Sequence, residues 1–352
     1  MPAQPARVAL FGFALAGRVF HAPLIAAEPG LELAVVVTRD AERRAQAAAA
    51  YPGAEVVDDA DAVWERAGDL DLAVVATPNR AHVPLARGAL DAGLAVVVDK
   101  PLASDAAAAR ALVQHAEAVG GMLTVFQNRR WDGDFLTLRD VLAAGRLGAV
   151  LRFESRFDRW RPDAGGAWRE TEAPSDGGGL LLDLGSHLVD QAVQLFGPVA
   201  RVYAELDVRR AGAAADDDAF VALEHADGVR SHLGMSALVA QIPPRMRVLG
   251  DAAAFVKRGL DVQEDQLDAG LLPGDDGWGA DPQAQWATLG SDADAQPVPT
   301  VAGAYERFYA GVAEALRDGT APPVDPWDAV RVLEILDAAR RSAAEGCVVE
   351  LG

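Results

Sequence analysis

Residues 6–17 read ARVALFGFALAG, an apolar run that leads into a glycine-rich turn. The run Arg7–Phe11 is short and strand-like, and helical periodicity begins at about Gly17. The turn between them matches the dinucleotide fingerprint G-x-G-x-x-G, with Ala14 in place of the middle glycine. Glycines permit the tight turn, and free N–H groups at a helix N-terminus attract a pyrophosphate. We therefore predict a nucleotide-binding turn, rather than a merely structural one. It comprises Gly12, Phe13, Ala14, Leu15, Ala16 and Gly17.

Apolar strands and helices alternate through the first 126 residues. Strands are predicted at Arg7–Phe11, Leu31–Val37, Glu55–Val57, Leu70–Ala76, Leu94–Val98 and Met122–Phe126. Helices are predicted at Gly17–Ala27, Asp40–Tyr51 and Ala81–Ala92, and from a cap at Ser104 to Val119. Nearly continuous apolar strands indicate a parallel sheet that helices cover on both faces. The pattern predicts an α/β protein whose residues 1–126 form a Rossmann domain.

The end of the second predicted strand bears on the choice of dinucleotide. An acidic residue about 20 positions after the fingerprint would accept the ribose 2′-OH of NAD. Here Thr38 and Arg39 follow the strand, and the first acid is Asp40, which suits a helix N-cap. Because arginine pairs with phosphate through two charge-assisted hydrogen bonds, Thr38 and Arg39 favour the 2′-phosphate of NADP. We predict NADP as the preferred cofactor, with NAD as the alternative.

The composition excludes several classes of partner. The 352-residue chain has a net charge of −20, which argues against nucleic acid because phosphate binding needs a basic surface. It contains no run of about 20 apolar residues and no signal-peptide pattern, so we expect no membrane association. The single Cys347 fits a reducing cytoplasm, where we expect the protein. No spacing of histidines, cysteine and acids resembles a metal site, so no metal is predicted.

Two lysines are unusual in a chain so rich in arginine. Of the 32 lysines and arginines, only Lys100 and Lys257 are lysines. Arginine does not lose its proton in a protein, whereas a buried lysine can take part in acid–base chemistry. Lys100 is therefore a candidate for catalysis. For Lys257, which lies in a predicted loop, a structural ion pair is the favoured interpretation.

Two motifs follow strand ends, where open α/β sheets bind their ligands. They read Thr77-Pro78-Asn79-Arg80-Ala81-His82 and Asp99-Lys100-Pro101-Leu102. This pairing resembles the Gfo/Idh/MocA family of sugar and polyol dehydrogenases, which typically shows T-P-N-x-x-H followed by E-K-P. Asp99 stands where the family has glutamate and keeps the charge. The resemblance implies further cofactor contacts at Thr77, Pro78, Asn79, His82, Asp99, Lys100, Pro101 and Asn128.

The resemblance extends over nearly the whole chain. Asn128 to Phe135 resembles the segment that leads this family into its second domain, and Gly179–Gln191 resembles its D-x-G-x-H-x-x-D helix. The start G-F-x-x-x-G-x-x-F-H-x-P and the stretch from Lys257 to Asp265 are similar to a narrower branch. That branch includes the NADP-dependent scyllo-inositol dehydrogenases.

Three side chains are candidates for the chemistry. Asp183 and His187 are spaced i,i+4, which on an α-helix brings them within reach of each other. Histidine is the usual proton-transfer group near neutral pH, and a carboxylate can fix its tautomer. The resemblance implies that His187 is the acid/base, that Asp183 orients it, and that Lys100 polarises the reacting oxygen. Proton exchange by Lys100 itself stays an alternative. Asp190 is either a supporting residue or an ordinary helix carboxylate, and His21 and His82 are either cofactor contacts or packed helix residues.

Residues 127–352 are predicted to form the substrate-binding and oligomerisation domain. Alternating strands from Arg152 onward indicate a large, open, mostly antiparallel sheet, which the resemblance implies is buried in a homodimer or homotetramer. The acidic, Gly- and Pro-rich stretch Asp261–Pro299 is predicted as an irregular loop over the site. Helices are predicted at Tyr305–Arg317 and Asp325–Ala344, and these helices could pack back on the first domain. Further candidate substrate contacts, besides Lys100, Asp183 and His187, are Asn128, Arg129, Trp160 and Trp168. Arg161 and Arg169 lie beside the two tryptophans in the sequence. The alternative interpretation of the segment that contains these tryptophans is a surface buried in an oligomer.

These features lead to one favoured activity. We expect hydride transfer between a secondary alcohol of a cyclic polyol or sugar and a nicotinamide. Alternatives are another sugar or a dihydrodiol as substrate, or a non-catalytic regulator that binds the dinucleotide. The joint presence of Lys100, Asp183 and His187 argues against the regulator.

Overall fold

Six parallel strands form the N-terminal sheet of the computed structural model, which describes residues 4–166, 168–174 and 177–352, without the side chains of Trp168 and Arg169. The strands are β1 (Ala6–Phe11), β2 (Leu31–Val37), β3 (Glu55–Val57), β4 (Leu72–Val75), β5 (Ala95–Asp99) and β6 (Leu123–Phe126). Their order in the sheet is β3-β2-β1-β4-β5-β6, and every pair is parallel. This is the doubly wound order of a dinucleotide-binding domain, and it confirms the predicted Rossmann fold.

Helices cover both faces of this sheet. They are α1 (Ala22–Ala27), α2 (Ala41–Ala50), α3 (Asp61–Trp64), α4 (His82–Asp91) and α5 (Ala106–Val119). The predicted cap of α2 is confirmed, because Asp40 accepts a hydrogen bond from the backbone N–H of Arg43 at 2.9 Å. The predicted Ser104 cap of α5 is wrong. Asp105 performs that role, since its carboxylate accepts from the backbone N–H of Ala108 at 2.8 Å and a carboxylate also favours the positive end of the helix.

Nine strands form the second sheet. They are β7 (Val150–Asp158), β8 (Val199–Asp207), β9 (Asp218–His225), β10 (Arg230–Ser236), β11 (Met246–Gly250), β12 (Ala254–Lys257), β13 (Ala287–Gly290), β14 (Gln296–Val298) and β15 (Val349–Glu350). Their order is β14-β13-β12-β11-β7-β10-β9-β8-β15. Among the strands that the structure describes in this sheet, only β7 and β10 pair in parallel, so the prediction of a mostly antiparallel sheet is confirmed.

The segment predicted as an irregular loop contains regular structure. Within Asp261–Pro299, α9 (Gln263–Asp268) buries Gln263 and Leu267, and β13 and β14 extend the second sheet. These elements are short and separated by acidic and glycine residues, so the composition of the whole stretch conceals them. The prediction for this stretch is wrong in its secondary structure.

The remaining helices connect the two sheets. They are α6 (Gly133–Ala143), α7 (Trp168–Thr171), α8 (Ser186–Phe196), α10 (Glu306–Asp318) and α11 (Pro326–Glu345). Helix α11 packs on α5 and on β8, and Asp337 accepts a hydrogen bond from the backbone N–H of Ala106 at 2.9 Å. Helix α10 packs on α1. The C-terminal helices thus fix the second sheet against the Rossmann domain and hold α8 near the carboxyl ends of the parallel strands. Over the described residues, no helix combines the length and apolar character needed to cross a membrane.

Candidate active site

The glycine-rich turn has the geometry that close backbone approach requires. Gly12 has φ +98°, and a Cβ there would lie 2.4 Å from the carbonyl oxygen of Ala76. A Cβ on Gly17 would lie 2.0 Å from the carbonyl oxygen of Gly12. Both positions therefore exclude any side chain, whereas Ala14 is tolerated. Phe13 is buried against Tyr51, so this predicted contact can reach a cofactor only through its backbone.

The end of β2 carries a group of arginines. The backbone N–H of Thr38 donates to the carbonyl oxygen of Val57 at 2.9 Å, and Arg39 beyond it is exposed. Arg44, on the first turns of α2, donates to the carbonyl oxygen of Arg39 at 2.8 Å. Arg43 and Arg44 went unrecognised in the sequence, although they follow Asp40 directly in the helix that it caps. Together with Arg39 they suit a 2′-phosphate, because guanidinium groups bind phosphate oxygens in pairs.

His82 joins the two strand-end motifs. Its two ring nitrogens lie 2.8 Å from the carbonyl oxygens of Pro101 and of Thr77. The ring is fully buried, and burial lowers the pKa of His82 in spite of the neighbouring Asp99. The packed alternative for His82 therefore describes it well: it joins the loops that follow β4 and β5. Asn79 likewise spans the cleft, since its Nδ2 donates to the carbonyl oxygen of Gly177 at 3.1 Å.

Asp99 and His21 support Lys100 from behind. The backbone N–H of Lys100 donates to Oδ1 of Asp99 at 2.9 Å. Nε2 of His21 lies 3.7 Å from the same oxygen, and its Nδ1 lies 2.6 Å from the hydroxyl of Tyr309. Burial of Asp99 opposes its ionisation, but His21 and Lys100 outweigh burial and lower the pKa of Asp99. The carboxylate thus stays ionised and fixes the backbone at Lys100.

Lys100 pairs with Asp183 from the other domain. Its Nζ donates to the backbone carbonyl oxygen of Asp183 at 2.7 Å and to carboxylate Oδ1 at 2.8 Å. The two side chains are 13% and 18% exposed, so the ion pair is shielded from bulk water but faces the cleft. The contact aims a positive charge at the space between the domains.

The structure does not form the direct pair of Asp183 with His187 that the spacing predicts. The spacing i,i+4 aligns side chains on an α-helix, but Leu181–Gly185 forms a π-helix and α8 begins only at Ser186. In the π-helix hydrogen bonds join residues five apart, so the wider turn changes the direction of Asp183 relative to His187. In the described part of the chain the carboxylate pairs with Lys100, and no hydrogen bond joins Asp183 to His187.

His187 lies in a positively charged environment. Its side chain is only 4% exposed, and Nδ1 has no hydrogen-bond partner among the described residues. Burial lowers the pKa of His187 well below its ordinary value, and the charges of Lys100 and Arg129 lower it further. The imidazole is therefore neutral at physiological pH, which is the form that accepts a proton.

A cleft of about 260 Å³ brings most of the predicted residues together. The predicted residues that line it are Leu15, Ala16, Asp99, Lys100, Asn128, Arg129, Arg161, Asp183 and His187. Trp160 is not among them: it is 55% exposed, and strand alternation directs it away from the face of its neighbours Arg159 and Arg161. The side chains of Trp168 and Arg169 lie outside the described residues.

Several cleft residues went unrecognised in the sequence. They are Phe20, Phe126, Phe157, Arg159, Glu170, Leu180, Leu184, Arg210, Ala215, Asp216 and Glu264. Arg159 could have been found from the alternation in Arg156–Arg161, because Phe157, Arg159 and Arg161 are alternate residues of an extended segment and so face the same side. The others come from distant loops that only the tertiary fold brings together.

Two residues with open roles are also placed. Asp190 accepts hydrogen bonds from Arg130 at 2.6 and 2.9 Å, so it supports the short helix Asn128–Trp131 from which Asn128 and Arg129 reach the cleft. Lys257 forms a buried ion pair with Asp281 at 3.1 Å, as expected for a structural residue. Within the described ranges, no group of three or more His, Cys, Asp and Glu side chains is placed to hold a metal ion.

Comparison with known proteins gives the family. Residues 6–127 match the model of an oxidoreductase family's NAD-binding Rossmann fold, and residues 139–351 match that family's C-terminal alpha/beta domain. The chain belongs to the Gfo/Idh/MocA oxidoreductase family.

Relatives within the Gfo/Idh/MocA family match over nearly their full length. The uncharacterized oxidoreductase YdgJ of Escherichia coli is 40% identical over 340 residues, which cover 96% of each chain. The scyllo-inositol 2-dehydrogenase (NADP(+)) IolW of Bacillus subtilis is 33% identical over 343 residues, 96% of this chain and 94% of that one. The solved structure of yvaA from Bacillus subtilis has a TM-score of 0.92 at 31% identity and covers 100% of both chains.

Proposed function

We propose that the chain is an NADP-dependent dehydrogenase that oxidises a secondary alcohol of a cyclic polyol or sugar, inositol-like in shape. The observation that carries this proposal is the placement of Lys100 and His187 on one cleft, beside the glycine-rich turn. A cation that can polarise an oxygen and a neutral base that can take its proton are the two groups that alcohol oxidation needs. The relative IolW, which bears the name of a scyllo-inositol dehydrogenase, supports the inositol-like substrate.

The chain's own residues suit the binding and orientation of the dinucleotide. The turn from Gly12 to Gly17 would receive the pyrophosphate against backbone N–H groups, and Arg39 with Arg44 would pair with the 2′-phosphate. When bound there, the dinucleotide would supply the hydride acceptor for the substrate carbon. Leu15 and Ala16 line the same cleft as Lys100 and would shield the reacting atoms from water.

Lys100 and His187 divide the work on the substrate hydroxyl. The ammonium of Lys100, held by Asp183, would donate a hydrogen bond to the oxygen and stabilise the negative charge that develops on it. His187 is neutral because burial and the charge of Lys100 lower its pKa, so it is ready to accept the hydroxyl proton. Asn128 and Arg129, at the edge of the cleft, would orient the other hydroxyl groups of the substrate.

A substrate panel tests the proposal. Inositols and sugars are offered with NADP+ or NAD+, and reduction of the cofactor is followed by absorbance. Lys100→Ala should abolish turnover while cofactor affinity stays within about tenfold, because the side chain acts on the substrate oxygen. Arg139→Ala, a change on the exposed face of α6, is the control that should keep full activity. Wild-type rates in Lys100→Ala would refute the mechanism, and cofactor binding without turnover of any alcohol would favour a dinucleotide-binding regulator.

We propose in addition that the open face of the second sheet forms a homodimer or homotetramer. Residues of β9 alternate between buried and half-exposed, and the half-exposed Phe220 packs edge-on against His232 of β10 at 6.0 Å. The breadth of this nine-stranded sheet, with the aromatic contact of Phe220 on its open face, supports burial in an oligomer. Light scattering after gel filtration should give a dimer or tetramer, and Phe220→Glu should shift it toward the monomer; a monomeric wild type would exclude the proposal.

A further inference from the structure

We propose that the cleft takes substrates that carry an oxyanion, either a carboxylate or a phosphate, in addition to the reacting hydroxyl, and that Arg159 and Arg161 bind it. This inference rests on the proposed function, because it narrows the polyol or sugar to an anionic one. It concerns a part of the cleft that neither the cofactor-binding turn nor the Lys100–Asp183 pair occupies.

Arg159 and Arg161 are held on one face by an extended backbone. The N–H of Arg159 donates to the carbonyl oxygen of Ser236 at 2.8 Å, and the N–H of Arg161 donates to that of Ala237 at 2.7 Å. The N–H of Val239 donates back to the carbonyl oxygen of Arg159 at 3.0 Å. Because side chains alternate along such a segment, both arginines point into the cleft while the residue between them points out. The backbone hydrogen bonds of this segment therefore fix the side of the chain from which the two guanidinium groups project.

These arginines differ from the other cations of the cleft in having no acidic partner. The paired cations are Lys100 with Asp183 at 2.8 Å, Arg129 with Glu264 at 2.9 Å and Arg210 with Glu170 at 2.8 Å. Among the residues that the structure describes, neither Arg159 nor Arg161 makes an ion pair or a side-chain hydrogen bond; the contact of Arg159 is with the ring of Phe157, at 5.2 Å. Other arginines that form no ion pair with a described residue, such as Arg39 and Arg139, lie outside this cleft, whereas Arg159 and Arg161 line it.

Their surroundings add to the positive charge. The ring of Phe157 is approached by Arg129 at 4.7 Å and by Arg245 at 5.6 Å as well as by Arg159. Arg245 is buried and bonded to neutral partners, the Ser155 hydroxyl and the Gln191 amide oxygen. Burial lowers the pKa of Arg159, and the charge of Arg161 lowers it further, while the carboxylates of Asp183 and Glu264 oppose this lowering only in part. A desolvated cation whose charge is only partly offset is unfavourable, so an anion in the cleft would reduce this cost.

The cofactor does not account for these charges. Its phosphates have their own sites at the turn Gly12–Gly17 and at Arg39, both on the Rossmann domain. Arg159 and Arg161 follow β7 of the other domain and share the cleft with His187. A guanidinium fork matches both a carboxylate and a phosphate, and it does so with two parallel hydrogen bonds. The unpaired arginines are therefore best explained by a charged group of the substrate.

The test compares one neutral and two anionic probes on the NADPH-loaded full chain. D-Glucose, D-glucuronate and D-glucose 6-phosphate are titrated by calorimetry at fixed ionic strength, so that the reading does not depend on turnover. We expect at least one anion to bind about tenfold or more tightly than glucose, since hydrogen bonds to charged groups contribute more than neutral ones. Preference for glucuronate identifies a carboxylate, and preference for the phosphate ester identifies a phosphate.

Variants assign the effect to the two arginines. Arg159→Gln and the exposed Arg161→Gln should each remove most of the preference for the anion and leave glucose and NADPH affinity unchanged. Arg139→Gln, an exposed arginine of α6 outside the cleft, should leave all affinities unchanged. Equal binding of the three probes, or an equal loss for all three in Arg159→Gln and Arg161→Gln, would overturn the inference. Neutral polyols are assayed separately for turnover. Turnover of a neutral polyol without any preference for anions would therefore keep the proposed dehydrogenase and exclude the anion site. Anion binding without turnover of any alcohol would keep the anion site and exclude the dehydrogenase.

Discussion

Replacement of Asp183 by asparagine tests how the cleft holds its lysine. The carboxylate of Asp183 accepts a hydrogen bond from Nζ of Lys100 at 2.8 Å, in a pair whose side chains are less than a fifth exposed. Asparagine keeps the shape but removes the charge. The backbone carbonyl oxygen of residue 183 still accepts from Nζ at 2.7 Å, so Lys100 should stay in the cleft but be held less firmly.

The expected loss follows from the strength of a charged hydrogen bond. Such a bond contributes about 1.5–3 kcal/mol, which corresponds to a fall in kcat/KM of about 10- to 160-fold. Cofactor affinity, measured by NADPH fluorescence, should change little. Asp91→Asn, which removes an exposed carboxylate from the Rossmann domain, is the control and should have wild-type kcat/KM. A kcat/KM for Asp183→Asn within about twofold of wild type would refute the reasoning.

A double variant separates two roles for Asp183. If Asp183 acts through Lys100, adding Asp183→Asn to His187→Gln should lower kcat/KM further, although by less than the full factor seen in wild type, because Lys100 and His187 act on the same substrate oxygen. If Asp183 acts by orienting His187, the double variant should be no worse than His187→Gln alone. The geometry supports the first result, and the second would restore the pairing that the i,i+4 spacing suggested.

Three other predictions concern pH, cofactor choice and stability. Because burial lowers the pKa of His187, the unfolded chain binds a proton below about pH 6.5 that the folded chain does not, so the free energy of unfolding falls as pH falls. Urea unfolding at pH 6.5 and pH 5 should show a decline that is up to about 1.4 kcal/mol per pH unit steeper than in His187→Gln. Equal slopes in the two proteins would contradict this. Arg39→Ala should weaken NADPH binding more than NADH binding, by about 1–3 kcal/mol, and an equal effect on both would remove the argument for NADP. Lys257→Met leaves Asp281 buried without its ion-pair partner and should lower the free energy of unfolding by about 3–5 kcal/mol. The kcat/KM of the folded protein should be unchanged. A loss below about 1 kcal/mol would show that the pair is not structural.

Local sequence rules predicted the parts of this fold that depend on local physics. The parallel strands appear as apolar runs because both of their faces are buried, and the Asp40 cap was evident from its position before α2. The rules did not predict the π-helix Leu181–Gly185, since hydropathy does not distinguish it from an α-helix. A second π-helix, Ala16–His21, follows the glycine-rich turn. Both flank the cleft, as is common where function disturbs regular structure.

Contacts between distant segments could not be predicted from one sequence. Glu264 and Arg129 are 135 positions apart, yet their ion pair at 2.9 Å forms one side of the cleft. Trp160 illustrates the opposite error, since its aromatic ring suggested a sugar contact but the alternation of the strand points it outward. Residue type led to Lys100, which lies on the cleft, whereas for Trp160 the direction of the side chain decided its position.

The charges that act most strongly on His187 are opposite in sign to the charge of the whole molecule. A chain with a net charge of −20 surrounds His187 with Lys100, Arg129 and Arg245, and these cations together with burial lower its pKa. The imidazole is then in its base form but is a weak base in the empty cleft. In the proposed mechanism, the negative oxygen that forms beside Lys100 when the substrate hydroxyl loses its proton would offset the positive field that disfavours the imidazolium. His187 would then become a stronger base during the reaction. An anionic group on Arg159 would act in the same direction. Under the two proposals, proton transfer and substrate charge would be coupled, and a neutral substrate should react more slowly than an anionic one of the same shape.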